Sequence, residues 1–306
     1  MVRSVLITGA NGGLGKESAR QLALLDSTEK IYLGCRNEHK AEDAKRSLQE
    51  LTGRTIFEIV LIDVSDLDSV RSAVASLSEP IDALVMNAGG TGGKNYNNKT
   101  VDGVTQIVAT NLLGHVVLLE ELLKAKKLTQ VAAYAGSEGA RGVPKMGLKR
   151  PKLKTSSVDE FASIGDGSFF AGNNDPLFAY GHVKYMAALW MSSIARQYPD
   201  IRFVTVSPGS TSGTNVANDL NPFMRLMFTV IGPSLLPLIG LMHKLEDGAK
   251  RYVKVINDES YKSGIFYASQ ASTLTGPLLD QGTIFSDLNN EKFQDNANEA
   301  IHRFIA

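Results

Sequence analysis

"VLITGANGGLG", residues 5–15, decides how this chain folds. An apolar run ends at Thr8 and meets three glycines, Gly9, Gly13 and Gly15. From Lys16 to Leu25 the periodicity changes, and Ala19, Leu22 and Ala23 fall on one helical face. A strand that turns through glycines into a helix is a βα unit. The glycines let the backbone turn tightly and approach a pyrophosphate, and the helix N-terminus offers unpaired N–H groups and a favourable dipole. The spacing is Thr8-Gly9-x-x-x-Gly13-x-Gly15, with Asn11, Gly12 and Leu14 between, and it departs from G-x-G-x-x-G.

The same alternation continues outward. Strand-like runs lie at 30–36, 55–63, 81–89, 130–137, 201–209 and 263–269, with helical patterns between them. This predicts an α/β fold: a single-domain Rossmann-type, doubly wound parallel sheet with helices on both faces, spanning 1–306. The irregular stretch at about 138–177 reads as an insertion within that domain. With 306 residues, 43% of them hydrophobic, the chain can bury a substantial core. The 32 basic and 32 acidic residues balance, so no overall basic field for nucleic acid exists. The lone Cys35 excludes an intrachain disulfide and reads as a packed small residue. A first strand starting by Arg3 leaves no room for a signal peptide, and the expected setting is cytoplasmic. Five scattered histidines offer no metal-site spacing.

Leu226 to Met242, "LMFTVIGPSLLPLIGLM", carries no charge. It is shorter than the roughly 20 residues a spanning helix needs and is broken by Gly232, Pro233, Pro237 and Gly240. The expected role is an apolar lid, about 210–245, over a lipophilic substrate. A peripheral membrane contact is the second reading of this run.

Further along, ordered motifs carry a resemblance. Asp63-Val64 ends the third strand and Asn87-Ala88-Gly89 the fourth; Asn111 lies in "VATNLLGHVVLL". Ser137 ends the fifth strand, Tyr180-Gly-His-Val-Lys184 follows, and Pro208-Gly209 ends the sixth. With the glycine loop, these stations resemble the short-chain dehydrogenase/reductase family over about two-thirds of the chain. The resemblance implies a nicotinamide cofactor held by Thr8, Gly9, Asn11, Gly12, Gly13, Leu14 and Gly15 at the glycine loop. Further contacts fall to Arg36, Asn37, Asp63, Val64, Asn87, Ala88, Gly89, Pro208, Gly209 and Thr211. It implies a catalytic tetrad of Asn111, Ser137, Tyr180 and Lys184, with Lys184 also on the nicotinamide ribose and Asn111 holding a water in a proton relay. Arg36 at the end of the second strand suits a 2′-phosphate, where an acid would repel it, and so argues for NADP(H).

Tyr180 and Lys184 are four apart and share a helical face. An ammonium there, with the positive oxidised nicotinamide, is expected to lower the phenol pKa from about 10. Tyr180 then exchanges a proton with the substrate oxygen, and Ser137 stabilises the charge developing on it. His182 is expected to point away from this face.

The 43 positions between Ser137 and Tyr180, the Cys35-Arg36 pair and the tail resemble the branch of light-dependent protochlorophyllide oxidoreductase and, more loosely, of retinol dehydrogenases. That photoenzyme has a cysteine directly after Pro-Gly; here the residue is Ser210. The expected activity is NADPH-dependent hydride transfer to or from a lipophilic carbonyl or alcohol. The alternatives are light-dependent reduction of a tetrapyrrole double bond and an NADPH-binding sensor without chemistry. Monomer and homodimer both stay open.

Overall fold

The computed structural model describes residues 1–144, 148–211 and 242–305. Its strands are β1 (Ser4–Thr8), β2 (Lys30–Cys35), β3 (Phe57–Leu61), β4 (Ile81–Met86), β5 (Leu128–Ala135), β6 (Arg202–Val206), β7 (Phe266–Ala268) and β8 (Leu279–Asp280). They form one sheet in the order β3-β2-β1-β4-β5-β6-β7-β8. β1 to β7 pair in parallel. The short β8 runs antiparallel to β7, which the apolar periodicity did not announce. This is a Rossmann-type α/β fold, and the strand order reverses between β1 and β4, where such sheets open a crevice for ligands.

The helices are α1 (Gly13–Ala23), α2 (Glu38–Thr52), α3 (Leu67–Ser76), α4 (Gln106–Lys124), α5 (Val158–Asp166), α6 (Pro176–Gln197), α7 (Leu245–Asn257) and α8 (Glu291–His302). Local chemistry sets their ends. Asn37 caps α2 by accepting from Lys40 N at 2.9 Å. Asp175 caps α6 by accepting from Leu177 N at 2.9 Å, with Pro176 in the first turn.

Alternation along the strands builds two cores. Leu6, Leu84, Met86, Ala132, Tyr134 and Phe203 face α3, α4 and α6. Val5, Ile7, Ile31, Val85, Ala133 and Val204 face α1, α2 and α7. By length and composition α4 is apolar enough to cross a membrane, but most of it is buried in the first core. The insertion contributes α5, whose Phe161 and Ile164 are buried. The expected lid falls largely on 212–241, outside the described residues. Its flanks meet: His243 N donates to Ser210 O at 2.6 Å.

Candidate active site

The glycine loop shows why glycine is required. Gly9 sits at φ 68°, in the left-handed region. A Cβ on Gly15 would stand 2.5 Å from Gly9 O, so a side chain there collides with backbone. Around Gly12 and Gly90, by contrast, a Cβ would meet nothing within 4 Å.

Beneath this loop, Thr8 ties β1 to β4. Its hydroxyl accepts from Asn87 N and Ala88 N, both at 2.9 Å. Asn87 Nδ2 returns a bond to Thr8 O at 2.9 Å. The Thr8 and Asn87 side chains thus lock the crevice wall, and Thr8 is fully buried. His115, one helical turn after Asn111, lies 3.1 Å from Thr8 Oγ1 through Nε2. Burial, with Lys184 nearby, pushes His115 down to about 3, so it stays neutral.

Asp63 accepts from Ser65 N at 2.9 Å and from Ser65 Oγ at 2.7 Å, shaping the turn after β3, and Val64 is buried. Arg36 projects exposed from the end of β2. Cys35 is packed, its thiol pushed up to about 11 by burial. Gly209 N donates to Ser207 Oγ at 3.0 Å. Thr211 Oγ1 donates to the carbonyl oxygens of Pro208, at 3.1 Å, or Gly209, at 3.2 Å.

Ser137, Tyr180, Lys184 and Asn111 converge beyond the end of β5. The Ser137 hydroxyl accepts from Gly139 N at 3.1 Å and lies close enough to Tyr180 to favour its phenolate. Lys184 is buried, with Nζ 5.5 Å from the centre of the Tyr180 ring. Asn111 sits in a π-turn, Ala109–Leu113, within α4. Its side-chain amide is committed: Nδ2 donates to Gly90 O and Ile107 O at 2.8 Å, and Oδ1 accepts from Gly90 N at 3.1 Å.

Desolvation dominates the electrostatics of both titratable groups. Desolvation pushes Tyr180 up to about 12 and outweighs the opposing effect of Ser137. Desolvation likewise pulls Lys184 down to about 7. Burial, with the Glu138 carboxylate adding in the same direction, therefore keeps the phenol protonated at neutral pH.

Several residues of this region escaped the sequence reading. Tyr134, on β5, is buried and accepts from Lys184 Nζ at 3.1 Å. Glu138 is buried beside Ser137, accepting from Ser207 Oγ and, at 3.1 Å, from Ser269 N. Arg251 lies 3.8 Å from it and donates to Ser207 O at 2.9 Å, bracing the Pro208-Gly209 turn. A tyrosine amid the small residues of "VAAYAGS" was the one available signal; an acid after Ser137 and an arginine in a charged helix gave none. His182 turns away into a cluster of Phe169, Phe170 and Phe178.

A short chain dehydrogenase family model matches residues 3–140. "Protochlorophyllide reductase B, chloroplastic" of Oryza sativa subsp. japonica is 29% identical over 286 residues, covering 87% of this chain and 69% of that protein. "Protochlorophyllide reductase, chloroplastic" of Cucumis sativus is 30% identical over 292 residues, with the same coverage. Among solved structures, NADPH-bound carbonyl reductase from chicken fatty liver superposes with a TM-score of 0.58 at 19% identity, covering 90% of this chain and 99% of that one. The fold, the ordered motifs and these relatives agree: the chain belongs to the short-chain dehydrogenase/reductase family, in the branch of the protochlorophyllide reductases.

Proposed function

We propose that this protein is an NADPH-dependent oxidoreductase acting on a lipophilic carbonyl or alcohol, with Tyr180 as general acid/base. The observation that carries the reading is the convergence of Ser137, Tyr180 and buried Lys184 at the C-terminal end of β5, where a Cβ on Gly89 would stand 3.7 Å from Lys184 Nζ. The residues present fit a nicotinamide dinucleotide. Open space around Gly12 leaves the loop approachable, and exposed Arg36 at the end of β2 can meet a 2′-phosphate. When bound, the nicotinamide supplies or accepts the hydride.

The chain's own residues handle the proton. A phenol held near 12 is fully protonated at neutral pH and suits donation to an oxygen that gains charge as a carbonyl is reduced. Ser137, beside Tyr180, orients that oxygen and stabilises its charge. Lys184, in its charged form, stabilises the phenolate left behind. In this reading the site works in the cytoplasm on a small lipophilic substrate.

A second reading has its own support: the relatives above are named protochlorophyllide reductases. Against it stands Ser210 after Pro208-Gly209. NADPH consumption, followed optically in the dark against lipophilic aldehydes and ketones, tests the first reading. Turnover that vanishes in Tyr180→Phe, with NADPH still bound, supports it. Turnover confined to illuminated protochlorophyllide overturns it in favour of the second.

A further inference from the structure

The buried polar groups behind Lys184 include one that no proton-transfer step above uses. Tyr134 is fully buried on β5, three residues before Ser137. Its ring is held edge-on by Trp190 at 6.3 Å and by His115 at 6.0 Å, which leaves the hydroxyl little freedom of direction. That hydroxyl donates to the main-chain carbonyl of Asn111. The carbonyl is available because α4 opens into the π-turn at Ala109–Leu113. A phenol has one O–H. With it committed to Asn111, the oxygen faces Lys184 as an acceptor only, 3.1 Å from Nζ. Lys184 gives a second N–H to Ala135 O at 2.8 Å. Two of its three donors are thus fixed, and the third is left for the Tyr180 side of the site.

We propose that Tyr134 is a positioning residue of this site, its hydroxyl bridging the Asn111 carbonyl and Lys184 so that the ammonium form is favoured and aimed at Tyr180. This rests on the Tyr180–Lys184 reading above and adds to it a side chain where the resemblance implied a water. A buried hydroxyl with no partner is costly, and a phenylalanine would fill the same space among the apolar residues. Both oxygen functions are instead used on catalytic-site groups. Tyr134 itself stays protonated, because burial raises it well above the ordinary phenol range. The other titratable groups facing this pair are Tyr180 on the same helix as Lys184, neutral His115 on α4 and Tyr252 on α7; Glu138 acts on Tyr180 and Tyr252. None of them offers Lys184 an acceptor at hydrogen-bond distance among the described residues.

The test is a titration of Lys184 by NMR on the full-length protein carrying ¹³C-labelled lysine, in wild type and Tyr134→Phe. Loss of the acceptor disfavours the ammonium, so the Lys184 midpoint should fall by about one to two pH units. The alkaline limb of kcat with NADPH and a turned-over carbonyl should move down with it. If Tyr134→Phe does not fold, 3-fluorotyrosine at position 134 keeps the shape and both bonds but weakens the acceptor, and a smaller shift of the same sign is expected. An unchanged Lys184 midpoint in whichever variant folds overturns the proposal. Tyr180→Phe separates the two levels: full activity in that variant removes the underlying reading, whereas an inactive Tyr180→Phe beside an unshifted Tyr134 variant removes only this one.

Discussion

The two walls of the crevice are built by opposite means. On the β1–β2 wall the close contacts are main-chain ones: Gly9 turns, Gly15 lies against the Gly9 carbonyl, and Arg36 stands exposed at the end of β2. On the β4–β5 wall they are side-chain ones: Asn111, Tyr134, Lys184 and His115 are buried and bonded to one another or to backbone. The second wall must satisfy every polar group internally, because an unpaired buried group is costly. One wall is therefore written in a compact motif, and the other in residues scattered from 111 to 184.

The comparison can be broken most forcefully at Tyr180. Tyr180→Phe should lower kcat by roughly 10²–10⁴-fold while leaving NADPH binding intact, as read by fluorescence titration. A loss of binding instead would place Tyr180 on the nucleotide wall. Next in size, Arg36→Glu should weaken NADPH by roughly ten- to a hundredfold and NADH little. Equal loss for both nucleotides would remove the 2′-phosphate role. Thr8→Val deletes the lock between the walls, stranding Asn87 N and Ala88 N, and should cost about 1–3 kcal/mol in denaturant unfolding.

The last effect is one of pH. Lys184 titrates near 7 in the folded protein and at its ordinary 10.5 when unfolded. Between those values the unfolded chain binds more protons, so this group makes stability rise with pH through that window. Lys184→Met should flatten that part of the stability profile measured by chemical denaturation.

How much of this was legible follows from the same contrast. The βα alternation, the glycine loop and the Tyr180–Lys184 spacing were readable because each is local: a period, a turn or a helical face. The short antiparallel β8 was not, because two residues carry no periodicity. Tyr134, Glu138 and Arg251 were hidden for a different reason. Their partners lie on other elements, brought together by the sheet order, and a tyrosine in a buried strand looks like core until its hydroxyl finds Lys184. The depth of burial at the two groups was hidden for the same reason. Helical spacing places Lys184 beside Tyr180 but says nothing about how deeply both are desolvated.

The central claim, hydride transfer in the dark with Tyr180 supplying the proton, is tested most directly with NADPH deuterated at the transferring position. The enzyme is incubated in darkness with a mixed panel of lipophilic aldehydes and ketones, and the alcohols are read by mass spectrometry. The account predicts an alcohol carrying one deuterium at the former carbonyl carbon, formed by wild type and not by Tyr180→Phe. No labelled alcohol in the dark, with deuterium entering protochlorophyllide only under illumination, would contradict it.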